Sequence, residues 1–346
     1  MVSLSEVEHS NSSAASTLPS GLVAVFAGAT AGIGEAALKA FAKHTVRPKI
    51  YFIGRSREAG DRLLKELKAI NSDGVYEFVQ ADMSLLANVD KVCQDIKSKE
   101  SVVNVLFMSQ GTLKYGVDTA DGFPLITGLA LYSRTRLTVN LLPLLKKASS
   151  IRRVVTVMAG TKEGKIFLDD IPGRNLPNKI KSARGHLCTA LTLSLEALAP
   201  QAPEVSFIHN FPGSVDTDLI RRDDGLMMQF VKQFFRLGTT VMGKWVPKEE
   251  CGERHAWLCL SARFPAKGEK SAEAAVGTDG TKGSGVYSVG TDGTKGSGVY
   301  SVDWDGESAS TEVIKLLGEY RDEGTVDKVW KHFEDEFVRV TGSVSI

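Results

Sequence analysis

Short apolar segments alternate with amphipathic segments between residues 21 and 213. The apolar segments have the length of buried strands, and the amphipathic segments repeat their apolar positions at helical spacing. Strands are predicted at 22–29, 49–55, 76–83, 103–111, 152–160 and 205–213. Helices are predicted at 35–44, 58–71, 89–99, 125–148 and 182–199. Strands joined by helices favour right-handed crossovers, so the pattern predicts a parallel sheet with helices on both faces.

The predicted fold class is therefore α/β, a doubly wound parallel sheet of the Rossmann-like type with about seven strands. Residues 226–246 are apolar with interspersed Lys and Arg, which predicts a helical lid on the sheet. A segment that lies on a membrane surface is the alternative for this stretch. As a lid, residues 218–246 would roof a substrate pocket, and their Met, Phe, Leu and Trp side chains suit a bulky apolar molecule.

Composition changes mark the expected domain boundaries. Residues 1–20 are polar and Ser-rich and are predicted to be a disordered tail. Residues 21–265 form the predicted α/β domain, and 266–346 form a C-terminal extension. Within the extension, the segment 276–288 recurs without change at 289–301 as a duplicated Gly-rich loop, and two terminal helices follow. Two copies are too few for a solenoid.

The overall composition excludes several classes of partner. The net charge is +1 with 24% charged residues, which gives no electrostatic reason to expect nucleic acid. No long apolar run is present, so no membrane span is expected. The four cysteines are scattered without a CxxC pair, which indicates reduced thiols, a cytoplasmic location and no metal site. The composition does not determine whether the protein forms a homo-oligomer.

The sharpest motif is GATAGIG, residues 28–34, between the first predicted strand and the first helix. Its chain must turn tightly, approach a pyrophosphate and direct a helix N-terminus at it. Glycine at Gly28, Gly32 and Gly34 removes the Cβ atoms that would block these steps. Together with Ile33, these residues predict a dinucleotide site, since the motif opens a strand–helix–strand series.

The GxxxGxG spacing resembles that of the short-chain dehydrogenase/reductase family. Further matches are the acid in ADMS, the last glycine of MSQG and the PGxVxT pattern in FPGSVDTDL. The resemblance covers residues 20–265, and the RVV-V-AG and GxGVYS stretches resemble those of a divergent fungal branch tied to secondary metabolism. It implies that the adenine ring contacts the acid of ADMS, that the last glycine of MSQG is the one kept from the family's NNAG, and that the nicotinamide end borders the PGxVxT residues. The residues concerned are Asp82, Gly111, Pro212, Gly213, Val215 and Thr217.

The cofactor predicted from these matches is NADP(H). The second strand ends in IGRS, which places Arg55 where an NAD-preferring protein carries an acid for the ribose 2′-hydroxyl. An arginine at this position can pair with a 2′-phosphate instead. The alternative is that Arg55 is a solvated surface residue.

The sequence departs from the family at each catalytic position. The family uses a Ser, a Tyr, a Lys and an Asn, but this chain has Ala159, Ser182, His186 and Ala130 in those positions. No Tyr in the chain is followed by a Lys four residues later. Proton transfer, where it occurs, therefore requires a non-standard path.

Three interpretations follow from this combination. In the first, the protein is an oxidoreductase in which His186 transfers a proton, since a histidine titrates near neutral pH, and Ser182 orients the substrate. Tyr132 and Arg136 are an alternative pair. The second is a cofactor-binding isomerase or cyclase of the same kind of pathway, and the third is a non-catalytic nucleotide sensor.

The intact nucleotide motif favours the first two interpretations, whereas the loss of all four family residues favours the second and the third. We expect an NADP(H)-dependent reductase or dehydrogenase that acts on a carbonyl or alcohol of an apolar natural-product intermediate. The cofactor part of this expectation rests on residues of the motif, and the substrate part rests on the resemblance to fungal proteins of secondary metabolism.

Overall fold

The computed structural model describes residues 1–215, 245–267 and 287–346. The strands are β1 (Val23–Ala27), β2 (Lys49–Gly54), β3 (Val75–Gln80), β4 (Val105–Met108), β5 (Arg153–Val157), β6 (Ser206–Asn210) and β7 (Val299–Val302). The helices are α1 (Leu4–Thr17), α2 (Gly32–His44), α3 (Arg57–Ile70), α4 (Leu86–Lys99), α5 (Ser133–Lys147), α6 (Lys179–Leu198), α7 (Lys248–Leu260), α8 (Thr311–Asp322) and α9 (Thr325–Thr341). A π-helical turn, Gly128–Tyr132, leads into α5.

The strands form one parallel sheet in the order β3-β2-β1-β4-β5-β6-β7. The prediction of a doubly wound α/β fold is confirmed. The chain runs outward from β1 to β3, crosses back to β4 beside β1, and then runs outward in the other direction. The reversal leaves a crevice between the carboxyl ends of β1 and β4, where ligands of such sheets bind.

Both faces of the sheet are buried by helices. On one face, Phe26 and Phe107 from the sheet pack with Phe41 of α2 and with residues of α7. On the other face, apolar residues of α4 and α5, such as Val89 and Leu141, cover the same strands. Apolar strands of this kind need cover on both sides, which explains why β1 has no alternation of polar and apolar residues.

The N-terminal segment is a folded helix, so the prediction of a disordered tail over residues 1–20 is wrong. Ser3 and Glu6 form a reciprocal capping box at the start of α1. Val7, Asn11 and Ala14 lie on one face of the helix and are buried against α2 and α7. Only these three residues indicate in the sequence that the helix packs on the domain, because the rest of α1 is polar and Ser-rich.

The C-terminal extension completes the domain instead of standing beside it. Strand β7 pairs with β6, and Tyr300 and Val302 belong to the main hydrophobic core. Phe333 and Phe337 of α9 are fully buried in a cluster with residues of α6. The predicted boundary at residue 265 therefore divides a single sheet.

The predicted lid and the first copy of the repeat lie mainly outside the described residues. Of 218–246 only the last two residues are described, and of 276–288 only the last two. The second copy supplies most of β7. Among the helices that the structure describes, none has the length and apolar character required to cross a membrane.

Candidate active site

The turn between β1 and α2 packs directly against the end of β4. Gly28 has φ +77°, and a Cβ atom there would lie 2.6 Å from the Cα of Gln110. A Cβ atom at Gly34 would lie 2.9 Å from the Cα of Ala29 and would overlap the Ser109 hydroxyl. Glycine alone fits both positions without a backbone shift. The glycines of the motif are therefore required by the path of the chain.

Helix α2 begins directly after this turn with an uncapped N-terminus. Ala31 precedes its first residue and supplies no side-chain hydrogen bond. Gly32, with φ +60°, and Ile33 are partly buried. The first N–H groups of a helix have no partner within it, and its dipole favours an anion at this end. The start of α2 thus fits the pyrophosphate of a dinucleotide.

Arg55 and Asp82 follow β2 and β3 at the same edge of the sheet. Both side chains are exposed. Asp82 Oδ1 accepts a hydrogen bond from the N–H of Ser84 at 3.0 Å. Arg57 pairs with Asp61 at 3.0 Å, whereas Arg55 takes part in no ion pair among the described residues. The guanidinium of Arg55 is therefore accessible to a ligand at this edge.

Gly111 lies beside a fully buried cation that the sequence analysis missed. The Arg134 guanidinium donates to the carbonyl oxygens of Gln110 at 2.6 Å and Val157 at 2.8 Å, and to the Thr156 hydroxyl at 2.8 Å. Burial lowers the pKa of Arg134 to about 9, so it stays largely charged at neutral pH. This side chain ties the end of β4 to β5. No sequence signal identifies it, because its partners are mainly backbone carbonyls.

The chain leaves β6 through Pro212 and Gly213. Gly213 has φ +76°, and a Cβ atom there would lie 3.0 Å from the Cβ of Trp304. Val215 forms a parallel bridge to the segment before α7. Thr217 lies outside the described residues. Glycine is again required by a close approach, here between β6 and the segment after β7.

The loop after β5 carries Ala159 and is strained at Thr161. Ala159 has no hydroxyl, and its N–H donates to Nε2 of His209 at 3.3 Å. Thr161 has φ +69°, a left-handed conformation that is costly for a β-branched residue. Its N–H donates to the Ser301 hydroxyl at 2.6 Å, and its own hydroxyl donates to Asp303 at 3.0 Å. Residues at the end of β7 therefore hold the loop in place.

His186 is fully buried, and both of its ring nitrogens bond to the backbone. Nδ1 accepts a hydrogen bond from the N–H of Phe167 at 3.2 Å, which leaves Nε2 to donate to the carbonyl of Ile171 at 3.1 Å. Burial also lowers the pKa of His186, so the ring is neutral at neutral pH. These contacts contradict the prediction that His186 transfers a proton, because neither nitrogen is available to a substrate.

Ser182 also has an internal partner. Its hydroxyl donates to the carbonyl oxygen of Pro177 in the loop before α6. The helix begins after Asn178, which has φ +49° and makes no capping hydrogen bond with its side chain. The Ser182 hydrogen is thus committed to the backbone, which contradicts its predicted role in orienting a substrate carbonyl.

The alternative pair on the long helix is also structural. The Tyr132 ring stacks on Phe123 with ring centroids 3.8 Å apart, and its hydroxyl hydrogen-bonds to Nε2 of His332 at 2.7 Å. Burial raises the pKa of Tyr132. Arg136 pairs with Asp90 at 2.7 Å. Both side chains serve packing between α5 and its neighbours.

A buried polar cluster supports the loop after β5. Glu163 Oε1 accepts hydrogen bonds from the hydroxyls of Thr192 and Ser301, each at 2.7 Å. Nδ1 of His209 lies 2.8 Å from the Thr192 hydroxyl, and the Cys188 thiol lies in the same group. Burial raises the pKa values of Glu163 and Cys188 and lowers that of His209 to about 3. Burial therefore disfavours the charged form of each group.

Two cations that the sequence analysis missed contact the ring of Phe211, the residue before Pro212. Arg184 Cζ lies 4.9 Å from the ring centroid, and Lys162 Nζ lies 5.2 Å from it. Lys162 also pairs with Asp303 at 2.7 Å. Lysine and arginine side chains are usually solvated, so no sequence pattern separates these two from their neighbours.

The carboxyl edge of the sheet thus collects the predicted nucleotide residues that the structure describes. They follow β1, β2, β3, β4 and β6, and their common position is a consequence of the parallel sheet. They are Gly28, Gly32, Ile33, Gly34, Arg55, Asp82, Gly111, Pro212, Gly213 and Val215. The two predicted catalytic residues do not offer a free group to this edge.

Comparison with known proteins finds matches to one family. Residues 22–166 match the family model of the short chain dehydrogenases. The chain is 34% identical to the oxidoreductase AN1596 of Emericella nidulans, over 96% of this chain and 97% of the relative. It is 32% identical to the oxidoreductase andH of Emericella variicolor, over 99% of both chains.

Solved structures agree with the fold. The NADP complex of RhlG from Pseudomonas aeruginosa superposes with a TM-score of 0.52 over 72% of this chain and 93% of that chain, at 19% identity. The enzyme KRED1-Pglu gives a TM-score of 0.53 over 71% of this chain and 99% of that chain, at 22% identity. With full-length relatives above 30% identity, this chain belongs to the short-chain dehydrogenase/reductase family.

Proposed function

We propose that the protein is an NADP(H)-dependent reductase or dehydrogenase for a carbonyl or alcohol of an apolar natural-product intermediate. The observation that carries this proposal is the turn 28–34, whose close packing on β4 sets the uncapped start of α2 toward the crevice. Two relatives that span nearly the whole chain are named oxidoreductases, which supports redox chemistry. A place in fungal secondary metabolism rests on the resemblance to that branch.

Different residues at the sheet edge bind different parts of the cofactor. A bound nicotinamide dinucleotide would supply or accept a hydride. The N–H groups at the start of α2 hold its pyrophosphate, and the exposed Arg55 pairs with the 2′-phosphate of NADP(H). Asp82 serves the adenine end, while Pro212 and Val215 border the nicotinamide end. Gly111 leaves space for the cofactor beside β4.

The proton follows a route other than a Ser–Tyr–Lys set. Ala159 carries no hydroxyl, and the nitrogens of His186 are both bonded to the backbone. Hydride transfer requires only that the cofactor and the substrate carbon are correctly placed. The Lys162 ammonium is a partly exposed proton donor at this edge, and water is the other source.

A second candidate is a cofactor-binding isomerase or cyclase. The observation that favours it is that the predicted acid–base residues His186 and Ser182 are engaged in internal hydrogen bonds. The two functions differ in whether the nicotinamide is consumed. A reductase converts NADPH to NADP⁺ in proportion to product, whereas an isomerase leaves the total NADPH unchanged.

The first experiment is a titration of the full chain with NADPH and with NADH, followed by nicotinamide fluorescence. We expect NADPH to bind more tightly. Arg55→Ala should weaken NADPH binding by roughly tenfold or more, the value of one charge-assisted hydrogen-bonded pair, and leave NADH unchanged.

Arg57→Ala is the matched control, because Arg57 is also exposed but pairs with Asp61. It should leave both affinities unchanged. Equal binding of the two nucleotides, or equal losses in the two variants, would refute the preference for NADP(H). A folded protein that binds neither nucleotide would refute the function itself.

A further inference from the structure

The start of α6 carries an unusual charge pattern. Lys181 and Arg184 lie in its first two turns, and no acidic residue occupies the first turn. Asn178 provides no side-chain cap. Cations at a helix N-terminus oppose the helix dipole, and uncapped N–H groups add to the positive potential. An anion bound near this end would offset both.

The Arg184 guanidinium is held in position without an acidic partner among the described residues. It is exposed and lies over the ring of Phe211, with Cζ 4.9 Å from the centroid. Some other arginines of the described chain have such partners, as Arg136 has Asp90 and Arg321 has Glu196. A guanidinium over a ring keeps its planar fork of N–H donors, which matches a carboxylate.

Lys162 adds a second positive charge against the same ring. Its Nζ lies 5.2 Å from the Phe211 centroid and 2.7 Å from an oxygen of Asp303. Asp303 also accepts a hydrogen bond from Thr161, which fixes the loop that carries Lys162. The two cations and one carboxylate leave an excess of one positive charge beside Phe211.

We propose that Arg184 and Lys162 form an anion subsite that binds a carboxylate of the substrate. This inference rests on the proposed function and narrows its substrate class to apolar keto or hydroxy acids. Phe211 directly precedes Pro212, which is proposed to border the nicotinamide end, so a carboxylate bound there would belong to a substrate of the same site. The ring of Phe211 supplies apolar contact to the body of the same molecule.

The test compares two probes of equal shape, 1-naphthoate and the neutral 1-naphthamide, by calorimetry on the full chain with and without saturating NADP⁺. We expect the carboxylate to bind roughly tenfold more tightly than the amide. Arg184→Gln and Lys162→Met should each reduce this ratio, and the double variant should abolish it. Naphthamide affinity should change little in any of them.

Lys165→Met is the control, since Lys165 Nζ lies 5.3 Å from the ring of a different residue, Phe167. It should preserve the ratio. Equal affinities for the two probes, no binding of naphthoate, or a ratio that survives the double variant would overturn the subsite. Failure to bind NADP⁺ would count against the proposed function instead, because the probe titrations without nucleotide stand on their own.

Discussion

Thr161 shows how single residues define this site. A β-branched side chain at φ +69° persists because Ser301 and Asp303 hold both its N–H and its hydroxyl. Beneath the loop, His209 accepts the N–H of Ala159 and lies against the Thr192 hydroxyl. Buried polar groups that bond to one another thus lie beneath the loop, and the protonation of His209 among them is linked to folding.

We expect His209 to make stability depend on pH. Burial lowers its pKa to about 3, against 6.5 in the unfolded chain. Below pH 6.5 the unfolded chain binds a proton that the folded protein does not, so the free energy of unfolding falls as the pH falls. Between pH 7 and pH 5 this histidine should remove about 2 kcal/mol. In His209→Gln that part of the decrease should be absent.

Urea unfolding at pH 7 and pH 5 measures this difference. The comparison is between pH values, so it tolerates a general loss of stability in the variant. His9→Gln, at an exposed position of α1, should retain the wild-type decrease. If His209→Gln lost as much stability between the two pH values as the wild type, the histidine would not be neutral in the folded protein.

Residues whose role depends on local backbone geometry were predictable. Gly28 and Gly34 are required by a turn whose neighbours lie close in sequence or on the adjoining strand, and their spacing showed this directly. His186 was not predictable in the same way. Its residue type suits proton transfer, but its partners, Phe167 and Ile171, lie in a loop whose path the sequence did not reveal.

At the scale of elements, α1 illustrates a helix made stable by docking. Its capping box is local and visible in the sequence, but a short polar helix is marginal in water by itself. Asn11 provides the anchor: its Nδ2 donates to the backbone carbonyl and to the carboxylate of Glu253, each at 2.8 Å. The carboxylate also bonds to His44, so α1, α2 and α7 meet at one point.

Asn11→Ala should therefore destabilise the protein. Removal of the amide leaves a carbonyl and a carboxylate oxygen without one of their donors, and the expected loss is about 1–3 kcal/mol in the free energy of unfolding. Ser12→Ala, on the exposed side of the same helix, should change it by less than about 0.5 kcal/mol. Urea unfolding of both variants gives the comparison. Equal effects would mean that α1 is only loosely attached.

At the scale of the molecule, one copy of the repeat forms part of the sheet. The second copy, 289–301, supplies most of β7, which closes the edge of the sheet beside β6. It also carries Ser301 into the site and leads to Asp303. Because the two copies are identical and adjacent, deletion of either one produces the same chain, and the remaining copy still precedes Val302.

Deletion of 276–288 should accordingly leave the fold intact. Shortening a connection changes loop entropy only slightly, so the free energy of unfolding should change by less than about 1 kcal/mol.

Truncation after residue 267 should instead destroy the fold, because it removes β7, α8 and α9 with the buried Tyr300 and Phe333. We expect that chain to be insoluble. Soluble yield and urea unfolding test both, and a cooperative transition in the truncated chain would contradict the single-domain assignment.

The sequence by itself determined the alternation of strands and helices, the parallel sheet and the glycine turn that predicts a nucleotide site. These features depend on periodicity and on local backbone conformation, and neighbouring residues encode both. The tertiary structure alone decided that the N-terminal segment is a docked helix, that His186 and Ser182 bond to the backbone, and that Arg184 and Lys162 meet at Phe211. Each of these depends on a partner brought close by packing, and a pattern along one chain carries no information on such distances.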